Sequence, residues 1–152
     1  MLKPSAFTRG FAAITLCSPL VAVGAEDEAQ VQVIQTDKVR FLFDLKAFTV
    51  KADKPVVIRF NNLSPIPHNF LLVKIGKLEA VGALIDQMLT DPKGIEKGYK
   101  PESDDIIASS KLLMSDQSEE ISFIAPTEPG DYPFMCTFPG HWRRMNGIMT
   151  VE

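Results

Sequence analysis

Cys136-Thr137-Phe138-Pro139-Gly140-His141-Trp142-Arg143-Arg144-Met145 is the stretch that decides how this chain of 152 residues is read. Four residues separate Cys136 from His141 and three separate His141 from Met145. A loop turning at Pro139-Gly140 can therefore gather a thiol, an imidazole and a thioether around one point. The second of the chain's two histidines, His68, opens an apolar run far upstream. Singly, each has an ordinary structural role: buried cysteine and methionine fill cores, and a lone histidine is usually hydrogen-bonded. Together, a soft thiolate, two imidazoles and a weak thioether form the donor set that selects copper and lets it change oxidation state. Zinc would require a fourth strong donor.

Working back from this loop, apolar residues recur with period two, the spacing of half-buried strands. Val31 and Val33 begin the series. Val39, Phe41, Phe43 and Leu45 follow, continued by Phe48 and Val50 after a bend near Lys46-Ala47, and then Val56, Ile58 and Phe60. Asn61 to Pro67 is a connection stiffened by two prolines, and the residues from His68 to Lys74 resume as a strand covered on both faces. Leu78, Val81, Leu84, Ile85, Met88 and Leu89 recur instead at three- and four-residue spacing until Asp91-Pro92, which predicts one helix. Residues 92–105 read as a surface excursion. Further strands are expected over 106–113, 120–124, 131–136 and 147–151, with a turn at Glu128-Pro129-Gly130-Asp131. Seven or eight short strands with one helical insertion predict an all-β fold, an antiparallel Greek-key β-sandwich.

Lys3 and Arg9 precede an uncharged stretch from Gly10 to Gly24 that is short for a bilayer and ends in small residues at Val23-Gly24-Ala25. Residues 1–25 therefore read as a signal peptide, cleaved after Ala25, with residues 26–152 as the copper-binding domain. Residues 5–23 are expected to lie outside the sandwich. Cleavage implies a periplasmic or otherwise exported protein without stable membrane insertion; an uncleaved segment would serve as a membrane anchor. The whole chain carries 16 basic and 19 acidic residues, net −3. Loss of Lys3 and Arg9 leaves 14 against 19, net −5, which with no run of like charge excludes nucleic acid as a partner. Cys17 also departs, so Cys136 is the one remaining thiol and has no disulfide partner.

The loop from Cys136 to His141, with Met145 and Gly147 after it and His68-Asn69 opening a strand, resembles the small blue copper proteins, or cupredoxins, of the azurin and auracyanin branch. The resemblance extends over nearly all of residues 30–152. It implies one type 1 copper per chain, with His68, Cys136 and His141 as equatorial ligands and Met145 as the long axial one. It also implies a weak fifth contact from the carbonyl of Pro67. A glycine stands there in azurin-like proteins; proline keeps the carbonyl but fixes φ. Backbone N–H groups of Asn69 and Phe138 are implied as donors to the Cys136 sulfur. The absence of azurin's disulfide favours auracyanin-like relatives.

The function implied is single-electron transfer, not catalysis. Every strong coordination position is filled, and the additional histidines that multicopper oxidases and copper nitrite reductases use are missing. A copper carrier or storage protein is the alternative, although the six methionines are scattered and form no tract. A Cys–His hydrolase would need a third orienting group and a cleft. The resemblance places the second histidine at the surface, so redox partners are expected to dock near His141, Trp142, Arg143 and Arg144. Trp142 would supply apolar contact and the two arginines positive charge toward an acidic partner.

Overall fold

The structure, a computed structural model, describes residues 28–152. The expected signal peptide and its cleavage point lie outside those residues. Among the described residues eight strands form two sheets: β1 (Gln30–Gln35), β3 (Pro55–Asn61) and β6 (Ser118–Ile124) in one, and β2 (Ala47–Val50), β8 (Asn146–Val151), β7 (Gly130–Met135), β4 (Leu71–Val73) and β5 (Ile106–Ser109) in the other. One helix, α1 (Leu78–Met88), is inserted between β4 and β5. The β-sandwich with one helical insertion is thus as expected from the sequence.

Alternation explains β3, where Val56, Ile58 and Phe60 are buried while Arg59 is exposed and pairs with Glu120 of β6. These three join Ile34, Phe43, Phe70, Phe134 and Met149 in the core between the sheets. Phe43, Phe60, Phe70 and Phe134 meet with ring centroids 5.4–6.5 Å apart, within the range of favourable aromatic packing. A second core lies on the other side of the larger sheet: Leu71, Val73 and Met135 pack against Val81, Ile85 and Trp142. β4 is therefore buried on both faces, which is why its sequence is apolar without alternation.

Three expectations need correction. The residues from Val39 to Leu45 do not form a strand, although Phe43 makes one isolated bridge to Thr36. The Asp37 carboxylate accepts hydrogen bonds from the N–H groups of Val39 and Arg40, both at 2.8 Å, and pairs with the Arg40 guanidinium. This side-chain capture competes with a strand ladder, leaves Val39 82% exposed and turns Phe41 into the left-handed region at φ 54°. The sandwich is also not wholly antiparallel, because β1 pairs with β3 and β2 with β8 in parallel. The chain leaves β1 for the other sheet, makes β2, and re-enters beside β1 in the same direction. The strands expected over 68–74 and 106–113 shorten to β4 and β5, with His68 and Leu113 paired as a bridge beyond them.

Candidate metal centre

His68 is held from both sides of its own backbone. Its N–H donates to the Leu113 carbonyl at 3.1 Å and its carbonyl accepts from the Leu113 N–H at 2.8 Å. The approach from β3 is fixed by Asn62, which is fully buried. Asn62 Nδ2 donates to the carbonyls of Ile66 and Leu113, both at 2.9 Å, while Oδ1 accepts from Thr36 Oγ1 at 3.0 Å and from the Ser64 N–H at 3.1 Å. Both amide ends are satisfied, so this buried polar group stabilises one path for the segment through Pro67 to His68.

Cys136 follows β7, its N–H donating to the Met145 carbonyl at 2.9 Å. Beyond it, Gly140 takes φ +80°, a conformation that favours glycine. His141 then opens a single helical turn, its carbonyl accepting from the N–H groups of Arg144 at 2.9 Å and Met145 at 2.8 Å. Asn69 fastens the two halves together: its Oδ1 accepts the Thr137 N–H at 2.7 Å, and its Nδ2 reaches Thr137 Oγ1 and the Gly98 carbonyl. The surface excursion thereby becomes a wall of the site, with Tyr99 edge-on to Phe138 and Phe138 edge-on to His141.

The outcome is convergence of three donor atoms. His68 Nδ1 lies 3.6 Å and His141 Nδ1 3.7 Å from Cys136 Sγ, and the two rings stand 4.9 Å apart. With the zinc bond lengths of about 2.0 Å to imidazole and about 2.3 Å to thiolate as typical of a first-row ion, trigonal donors stand about 3.7 Å apart, so the residues fit a metal. His68 and Cys136 are fully buried, His141 half-buried and Met145 buried beside the loop. Pro67 directly precedes His68 and is half-buried. A cleft of about 130 Å³ lined by Arg40, Phe41, Gly140, His141 and Arg144 opens onto the His141 side.

Burial leaves all three donors uncharged in the metal-free chain. Burial pushes the Cys136 thiol up to about 12, against which the backbone N–H groups of Asn69 and Phe138 pull it down by hydrogen-bonding the sulfur. Burial, with the neighbouring His141, lowers His68 to about 4, and burial lowers His141 as well. Both imidazoles are therefore neutral donors at neutral pH. His68 Nε2 is buried without a hydrogen-bond partner, so the polar interactions of that ring are concentrated at Nδ1.

Of the loop's remaining side chains, two are engaged with α1. Trp142 is 2% exposed, packed under α1, and offers no free apolar surface. Arg143 is exposed but paired with Asp86 of α1 at 2.7 Å, leaving Arg144 as the loop's unengaged cation among the described residues. Asp86, Asn62 and Tyr99 were not singled out by the sequence. The Asn61-Asn62 pair before two prolines is the one signal that could have drawn attention to Asn62.

A sandwich carrying one buried cysteine thiol, two convergent imidazoles and a nearby methionine defines a mononuclear blue copper protein. The chain belongs to the family of copper binding proteins described as plastocyanin/azurin, whose sequence model matches residues 29–152. It is 37% identical to auracyanin-A of Chloroflexus aurantiacus over 112 residues, covering 72% of this chain and 67% of that protein. It is 30% identical to azurin of Pseudomonas aeruginosa over 153 residues, covering 95% and 99%. Among solved structures, auracyanin A of Chloroflexus aurantiacus, a "blue" copper protein, matches with a TM-score of 0.72 and 33% identity over 82% of this chain and 100% of that one. Reduced auracyanin of Roseiflexus castenholzii matches with a TM-score of 0.71 and 34% identity over 81% and 97%.

Proposed function

We propose that this chain is an exported carrier of single electrons. Copper would be held by His68 Nδ1, Cys136 Sγ and His141 Nδ1, with Met145 and the Pro67 carbonyl as weaker donors beside them. The observation that carries the reading is the convergence of three donors, two of them fully buried, on one point with spacings suited to a trigonal ion. Bound copper supplies a one-electron couple. The chain's own residues hold the donors in one arrangement for both oxidation states, because His68 is bridged to Leu113 and the Cys136 loop is tied to Asn69. The Asn69 and Phe138 N–H groups withdraw charge from the sulfur, which favours the reduced state. Phe138 and Tyr99 keep water from one side, and His141 beside its cleft is the route by which an electron leaves.

The exported location rests on the N-terminal pattern of Lys3 and Arg9 before a short apolar stretch. Partners are redox proteins that dock over His141 and present an acidic rim to Arg144. Trp142 supports the docking face from beneath, and Arg143 is held at the surface by Asp86. The test is reconstitution of residues 26–152 with Cu(II), followed by a visible spectrum and a voltammogram. An intense thiolate-to-copper band and a reversible one-electron wave are expected. A colourless complex, or one that binds only Cu(I), would favour a copper carrier or storage protein.

A further inference from the structure

We propose that Asp86 is a positioning residue for the metal loop: through Trp142 and Arg143 it fastens the turn bearing His141 and Met145 to α1. The helix insertion thereby becomes part of the metal centre. Trp142 is the second residue of that turn, and its carbonyl accepts a hydrogen bond from Asn146 Nδ2 at 2.9 Å, so its backbone is committed to the turn. Its indole lies against α1 at Gly82. A Cβ on that glycine would stand 2.6–2.7 Å from three indole carbons, so the close approach requires glycine.

The polar half of the clamp is closed. Asp86 Oδ1 accepts from Trp142 Nε1 at 3.0 Å and from Arg143 Nη1 at 3.2 Å, and Oδ2 accepts from Arg143 Nη2 at 2.7 Å. The Arg143 guanidinium lies over the indole, 4.2 Å from its centroid. An isolated exposed ion pair contributes little, but here both carboxylate oxygens are used and the pair covers a buried indole N–H that would otherwise be unsatisfied. Two consecutive side chains of the ligand turn are thus held to one helical residue 56 and 57 positions earlier. The turn cannot swing outward without breaking all of these contacts, and His141 Nδ1 stays aimed at Cys136 Sγ before copper arrives.

The part of the proposal that concerns copper rests on the proposed function; the part that concerns the loop does not. Asp86→Ala, at a partly exposed site, removes the acceptor without crowding the core. In the metal-free protein the amides of Arg144 and Met145 should exchange with solvent about tenfold faster, as local opening becomes easier. Emission from Trp142, the chain's one tryptophan, should shift to the red. In the copper-loaded protein the potential should fall, because a loosened loop admits water, which favours the more highly charged oxidised ion. Asp86→Asn, which keeps an acceptor for the indole, should restore part of each change, and Gln87→Ala on the same helix should show none. A red shift with unchanged Arg144 and Met145 exchange and an unchanged potential would overturn the proposal and reduce the contact to helix packing. Loop exchange is read without copper, so failure of the electron-carrier reading would show separately, as a colourless complex.

Discussion

Protonated at neutral pH in the metal-free chain, the Cys136 thiol must lose its proton to become a ligand, because burial pushes it up to about 12. Copper uptake should therefore release a proton, and an alcohol in the same place cannot follow. Cys136→Ser is expected to abolish the visible band and most Cu(II) affinity. Met145→Leu should keep both and raise the potential, since the role proposed for Met145 is that of a weak donor; spectra and voltammetry of the pair separate the two roles. His68 gives a pH prediction for the metal-free protein. Its folded value, lowered to about 4, lies below the ordinary 6.5, so between those values the unfolded chain binds more protons. The resulting stability, of order 3 kcal/mol, is full above pH 6.5 and is lost as pH falls toward 4. Denaturant midpoints from pH 7 to 4 should fall more steeply for the parent than for His68→Gln. At this scale the site was legible, because Cys136, His141 and Met145 are neighbours in sequence. Asp86 was not legible, because its partners are more than fifty residues away and a lone aspartate on a helix carries no signal.

β4 joins the two cores, since its three residues face both of them and it begins just after His68. Phe134 on the neighbouring β7 packs against Phe43, Phe48 and Phe70. Truncation to alanine should cost about 3–5 kcal/mol, read from chemical denaturation of the metal-free protein. The fold should survive, because the rest of the aromatic cluster remains. Period-two alternation identified β3 and the three-to-four spacing identified α1, both of which depend on neighbours along the chain. Parallel pairing of β1 with β3 could not be read that way, because it depends on where the intervening strand goes. The segment after Thr36 misled for a local reason: Val39, Phe41 and Phe43 alternate as a strand would, but Asp37 binds two backbone N–H groups and ends the alternation's meaning.

For the whole molecule, the charge left after the expected cleavage is −5, whereas Arg144 sits beside the cleft at His141. The protein then carries a positive spot on a negative body, an arrangement that orients diffusing partners at low ionic strength. Arg144→Glu should leave the visible spectrum nearly unchanged, slow second-order electron transfer to an acidic partner, and flatten or reverse its salt dependence. Equal rates for parent and variant between about 10 and 200 mM salt would exclude electrostatic docking, since screening tightens severalfold over that range. Cleavage after Ala25 would be checked by intact mass, with the mature chain beginning at Glu26.

His68 and Cys136 are 68 positions apart, while Cys136, His141 and Met145 lie within ten residues of one another. At ordinary rates of synthesis His68 precedes Cys136 by roughly 3 to 14 s. During that interval the chain from residue 26 onward holds a single imidazole and no cysteine, a poor trap for any ion. Only when β7 has been made and has paired with β4 do donors from the two ends face each other. The complete donor set is thereby a product of folding and not of synthesis, and an ion that meets the unfolded chain finds at most the neighbouring donors of one loop.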